Sequence, residues 1–304
     1  MRKATARADF FIEADARRTD FRSANRPRPT MLAALLAGGL ALAGCQSSNF
    51  SNGVQIDQSA GSTANIDSLN AVIESNPRDA SAYNTRGIAY GRAGRYDQAI
   101  ADFNTALKLE PNSYQSYANR ALVYRRMGNL QAAVNDYSAA LRIKPDYDAA
   151  LVGRGNAYRS LGRNDLALAD FNAAIALDSS NARAFHNRGL IYQAQGNHTR
   201  AVEDFATAIG LDPNAAEPYI ARGLSYLALN DPKAALSDLS DAVNRDPRSA
   251  VAWANRGFAL ETTGQTKDAR RSYSRALGID PSNTIAKEGL GRIDRGTSAA
   301  LPAR

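Results

Sequence analysis

A 34-residue period runs through most of this chain, and a period of that length calls for stacked supersecondary units rather than one globular core. Pro111, Pro145, Pro213, Pro247 and Pro281 keep that interval or a multiple of it, with Ser179 in the one gap. Gly87, Ala121, Gly155, Gly189, Gly223 and Gly257 keep it too, as do Tyr90, Tyr124, Tyr158, Tyr192, Tyr226 and Leu260. Alanine holds two further places, at 99, 133, 167, 201, 235 and 269 and at 106, 140, 174, 208, 242 and 276. Each copy reads as two amphipathic helices, with small residues where backbones meet and aromatic rings filling the gaps. Gly94, Gly128, Gly162, Gly196 and Gly264 stand where the first helix must end in left-handed backbone. Asn230 takes that place in the fifth copy, and Asp231-Pro232 then supplies an N-cap and a first-turn proline.

Residue for residue, over about 230 positions, these marks resemble the tetratricopeptide repeat. The resemblance implies an all-α, right-handed superhelical solenoid of about six helix-turn-helix repeats, starting near Ala80, Tyr114, Asp148, Ala182, Ala216 and Ala250. The ends of such a stack need polar cover. An N-terminal half-repeat over 65–77 and a C-terminal capping helix over 284–293 would supply it, so the solenoid is expected at 65–294 and a disordered tail at 295–304.

The first 44 residues have a different character. Arg26 and Arg28 precede an apolar run, Met31–Ala43, too short to span a bilayer and suited to the h-region of a signal peptide. Leu42-Ala43-Gly44-Cys45 resembles a bacterial lipobox, which implies cleavage before Cys45 and lipid attachment at that residue, the chain's sole cysteine. Gln46 then implies sorting to the outer membrane, facing the periplasm. Residues 45–64, rich in Ser, Gly, Asn and Gln, read as a flexible tether. The 1–44 segment also carries much of the charge. The formal net charge is +7, but residues 45–304 hold 29 Lys/Arg against 26 Asp/Glu, a balance too near neutral to grip phosphate.

Helical geometry sorts the arginines. With each repeat numbered from its first residue, position 7 falls at about 340° on the wheel, among the core marks. It is arginine in every copy: Arg86, Arg120, Arg154, Arg188, Arg222 and Arg256. An inward charge must be paired. Position 23 offers Asp102, Asp136, Asp170, Asp204 and Asp238, with serine at both ends (Ser68, Ser272), so a structural Arg–Asp ladder is expected. Pairing within a repeat leaves Arg256 alone, and pairing to the preceding repeat leaves Arg86 alone.

Positions 2, 5, 6, 9, 12 and 13 fall on the opposite arc, which in the resembled family lines a concave groove. Its N-terminal half would carry Arg92, Arg125, Arg126 and Arg159, with Asn84, Asn119, Asn156, Asn187 and Asn255 running through it. Its C-terminal half would be apolar, with Leu190, Ile220, Leu224, Leu227 and Phe258 edged by Glu217 and Glu261. Asparagines pair with peptide backbone, arginines hold carboxylates and apolar side chains take anchors, so the groove suits a segment of another protein.

No nucleophile motif, phosphate loop or metal-ligand spacing is present, and the only histidines are His186 and His198. The expectation is a non-catalytic scaffold with no cofactor, no nucleic acid and no small-molecule substrate. The lipobox-plus-repeat layout resembles outer-membrane lipoproteins that recruit cell-wall hydrolases and periplasmic proteases. The alternatives are a structural subunit of an outer-membrane or secretion assembly, or a cytoplasmic adaptor whose leader is not processed.

Overall fold

The computed structural model describes residues 63–297. The leader (1–44), Cys45, the tether to residue 62 and residues 298–304 lie outside the described residues. Among those described, every regular element is an α-helix: α1 (Thr63–Ser75), α2 (Ala80–Arg92), α3 (Tyr96–Leu109), α4 (Tyr114–Arg126), α5 (Leu130–Ile143), α6 (Asp148–Ser160) and α7 (Asn164–Leu177). There follow α8 (Ala182–Ala194), α9 (His198–Leu211), α10 (Ala216–Ala228), α11 (Pro232–Arg245), α12 (Ala250–Thr262), α13 (Thr266–Ile279) and α14 (Thr284–Asp294). The even-numbered helices from α2 to α12 begin at the six repeat starts, and each packs on the odd-numbered helix that follows it. Each odd-numbered helix packs on the next repeat, and successive even-numbered helices touch directly. The result is an all-α solenoid in which no repeat has a core of its own.

The turns follow from local chemistry. Gly94, Gly128, Gly162, Gly196 and Gly264 all have φ between 72° and 79°, and Asn230 adopts φ 63° in the copy that lacks the glycine. Asp231 then caps α11 by accepting from the Ala234 amide at 3.0 Å, with Pro232 in its first turn. The two alanine places fall at the helix crossings and are fully buried in all six copies. Cβ is all the room the crossings allow.

Large side chains interlock through glycine. In five repeats the position-24 side chain (Phe103, Phe171, Phe205, Leu239 or Tyr273) fills the space over the position-8 glycine, where an added Cβ would stand 2.6–2.9 Å away. Ala121 breaks the rule in the second repeat. There the Tyr137 ring lies over Gly153 of the next repeat, where an added Cβ would meet it at 2.4 Å.

Both ends differ in detail from expectation. The first helix starts at Thr63, inside the expected tether. Residues 295–297, assigned to the tail, cap α14: Arg295 is the C-cap, Gly296 has φ 69° and the Thr297 amide donates to the Arg292 carbonyl at 3.0 Å.

The interlock yields a stability test. Gly153→Val should cost about 1–3 kcal/mol in denaturant unfolding by overpacking the Tyr137 ring. Gly210→Ala, where nothing lies within 4 Å, should leave stability unchanged or raise it by up to ~1 kcal/mol. Equal stability of Gly153→Val and the unsubstituted chain would contradict the interlock.

Candidate functional site

Position 7 forms the ladder within each of the first five repeats. Arg86 meets Asp102, Arg120 Asp136, Arg154 Asp170, Arg188 Asp204 and Arg222 Asp238, each through Nε and Nη2 to the two carboxylate oxygens at 2.6–2.9 Å. The aspartate side chains are 6–10% exposed. This register leaves Arg256 without an acid, facing Ser240 and Ser272. The guanidinium does more than the spacing implied. Nη1 of Arg86, Arg120, Arg154 and Arg188 donates to Asn70, Asn104, Ser138 and Asn172, all at position 25 of the preceding repeat. Ala206 occupies that place before Arg222, which has no third bond. The recurring Asn/Ser at position 25 was the sequence signal for this link.

The guanidinium groups also lie by the aromatic rings at positions 4 and 11, as Arg86 does by Tyr83 and Tyr90 at 5.6 and 5.7 Å. The hydrogen bond to Asp102 raises the Arg86 pKa. For Arg120 burial is the largest single effect and lowers the pKa, but the hydrogen bond and charge of Asp136 lead the effects that together raise it. These arginines are committed to the scaffold.

The inner face is narrower than a helical wheel implies. Leu190 packs into a cluster with Ala201, Phe205 and Ala221, and Leu227 into one with Ala235, Leu239 and Ala259. Asn255 is 1% exposed and donates to the Val251 carbonyl of its own helix. These three assignments to the groove surface are corrected. Leu190 and Leu227 turn toward the paired helix of their own hairpin and the next even-numbered helix, and Asn255 is buried, so positions that an isolated helix would expose are covered in the stack. Glu261 is likewise buried, taking Arg292 at 2.9 Å on both oxygens and the Tyr273 hydroxyl at 2.6 Å.

Other members are engaged but reachable. Asn119 donates to Asn84 Oδ1 at 3.1 Å, Asn187 donates to the Arg183 carbonyl, and Arg126 reaches back to the Gly91 carbonyl at 3.2 Å. Arg92 and Glu217 are exposed, and Asn156, Ile220, Leu224 and Phe258 are half-buried.

Two arginines stand apart. Arg125 and Arg159 occupy position 12 of adjacent repeats, and each has a buried Nε with no hydrogen-bond partner. The ion pairs of the described residues leave both out. Burial, and then the neighbouring Arg125, lower the Arg159 pKa. His186 joins them, its ring 5.6 Å from Phe205 and its buried Nδ1 unpartnered. Burial, and then Arg159, push this imidazole down to about 4. Burial raises the Tyr137 phenol, and Arg125 draws it back. The cluster is cationic and built from α4, α5, α6 and α8.

A histidine held down in the fold protonates first in the unfolded chain, so its contribution is neutral above pH 6.5 and destabilising below. Stability should fall as pH drops from 6.5 to 4, by about 3 kcal/mol at most. Denaturant unfolding of His186→Asn should lose that component, and the same slope in both proteins would contradict the assignment.

Tetratricopeptide repeat models match residues 66–113, 84–148, 182–215 and 220–284, and a TPR repeat model matches 155–196. No curated protein matches significantly by sequence. Among solved structures, the chain resembles one from the APC/C hetero-tetramer Cut9-Hcn1 at 18% identity and TM-score 0.67, covering 74% of this chain and 44% of that one. A tetratricopeptide repeat protein from Parabacteroides merdae is 22% identical at TM-score 0.59, covering 75% of this chain and 90% of that one. Pseudomonas aeruginosa pilF is 18% identical at TM-score 0.64, covering 71% of this chain and all of that one (100%). At these identities the likeness is one of fold.

Proposed function

The chain belongs to the tetratricopeptide repeat family, and we propose that it is a non-catalytic scaffold whose inner face holds an acidic segment of a partner protein. The observation that carries this reading is the pair Arg125 and Arg159, whose guanidinium Nε atoms are buried yet unpartnered. A buried cation without a counter-charge is costly, and a carboxylate brought by a ligand relieves the cost.

The chain contains its own version of the completed arrangement. At the C-terminal end a position-24 tyrosine, Tyr273, lies over a glycine of the next helix, Gly289, and donates to the carboxylate of Glu261 at position 12, which Arg292 also holds. Tyr137, Gly153 and Arg125 occupy the equivalent places in the second and third repeats, with Asn156 in the place of Arg292. There the position-12 group is a base, and the missing member is an acid. Ile220, Leu224 and Phe258 further along would take apolar anchors of the same segment.

The lipobox resemblance at Cys45 supports anchoring of this scaffold to the bacterial outer membrane, facing the periplasm. Cell-wall hydrolases and periplasmic proteases are then candidate partners. A second reading, a structural subunit that packs through another surface, is favoured by Ile143, Leu177 and Leu211, which recur at 34-residue spacing and are 38–50% exposed.

A labelled Glu-rich peptide read by fluorescence anisotropy tests the groove. Arg125→Glu with Arg159→Glu should weaken its binding by about tenfold or more at fixed ionic strength. Unchanged affinity would sink the groove reading. Mass spectrometry of the mature N-terminus decides the anchor, an acylated Cys45 supporting it and an unmodified one removing it.

A further inference from the structure

The sixth repeat breaks the ladder and becomes basic at the same place. Position 23 changes from aspartate to Ser272. Position 22 runs Ala101, Asn135, Ala169, Glu203, Ser237 and then Arg271. Position 26 runs Thr105, Ala139, Ala173, Thr207, Asp241 and then Arg275. The one copy that lacks the acid is therefore the only copy with arginine on either flank of it.

In space these residues meet. Trp253, Arg256, Asp268, Arg271, Ser272 and Arg275 line an open cleft of about 450 Å³. Arg256 is turned over relative to the other five ladder arginines: its Nε donates to Ser240 Oγ at 3.1 Å and its Nη1 to Ser272 Oγ at 2.8 Å. Elsewhere Nε and Nη2 face the aspartate. Asp268, the one acid of the cleft, pairs with Arg271. Three guanidinium groups against one carboxylate leave the cleft cationic. Arg256 is also the exception electrostatically, since burial lowers its pKa while those of the paired ladder arginines are raised.

We propose that this cleft is a carboxylate-binding site, in which a ligand carboxylate takes the place beside Arg256 that an aspartate fills in each of the five preceding repeats. Arg271 and Arg275 attract and hold the anion, and Ser272, shorter than aspartate and uncharged, gives Arg256 a hydroxyl but no counter-charge. The site belongs to the ladder and is separate from the Arg125–Arg159 cluster. The carboxylate can come from a small acid or from an Asp or Glu of a partner chain, and the recognition chemistry is the same.

Trp253, the chain's only tryptophan, lines the cleft and reports on it. The full chain is titrated with sodium succinate, with a Glu-rich peptide and with inorganic phosphate, each against sodium chloride at matched ionic strength. A saturable Trp253 fluorescence change is expected with a carboxylate. Ser272→Asp, which places the missing acid internally, should abolish it, and Arg256→Gln should weaken it by about tenfold or more. Saturation by succinate assigns a small acid, and saturation by the peptide alone assigns a partner's acidic side chain. No saturable change with either carboxylate overturns the proposal, as does a response to phosphate alone or an undiminished response in Ser272→Asp. The arginines of the inner face are untouched in these variants, so the result is independent of the groove.

Discussion

The two-pronged bond from the position-7 arginine to the position-23 aspartate is the constraint on which the rest of the solenoid depends. A hairpin of two helices cannot bury its apolar face, and stability comes from each repeat covering the next. The guanidinium joins three helices in four of the repeats: its own, its partner in the hairpin and, through Nη1, the second helix of the preceding unit. Dispersion between alanines sets the spacing of the helices, whereas a planar fork with two fixed acceptors sets their rotation. Loss of one partner would leave an uncompensated charge, at a cost of about 3–5 kcal/mol.

Because the ladder consumes its aspartates, Arg125 and Arg159 are left outside the ion pairs of the described residues. The Nε atoms of Arg125 and Arg159 are too buried to reach water. The C-terminal end resolves a similar situation internally, with Glu261 held by Arg292 and Tyr273 beneath the capping helix. The middle and the end of the solenoid thus carry opposite charges at equivalent positions, and only the end is closed by the chain's own counter-charge.

The fold was legible because its determinants are local and repeated. Caps at Gly94 and Asn230, alanines at the crossings and arginine at position 7 each recur at one interval. The register of the ladder was not, since both pairings satisfy the same spacing, and the deciding contact to Asn70 and its counterparts is a property of three helices together. The groove was over-read for a related reason. A wheel treats each helix alone, so Leu190, Leu227 and Asn255 counted as surface although an adjacent helix or their own cluster covers them. Tyr137 over Gly153 was hidden because the two residues belong to different repeats and the other position-24 side chains lie over the position-8 glycine of their own repeat.

The central claim is that partners are held on the inner face beside Arg125 and Arg159. Photo-cross-linking in intact cells tests it most directly, with the photoreactive residue placed at Asn156 on α6 or at the exposed Ala169 on α7. The account predicts adducts from position 156 whose cross-linked peptides carry Asp or Glu beside the attachment point, and loss of those adducts when Arg125 is replaced by Glu. Adducts from position 169 alone, or from position 156 regardless of the charge at 125, would contradict it.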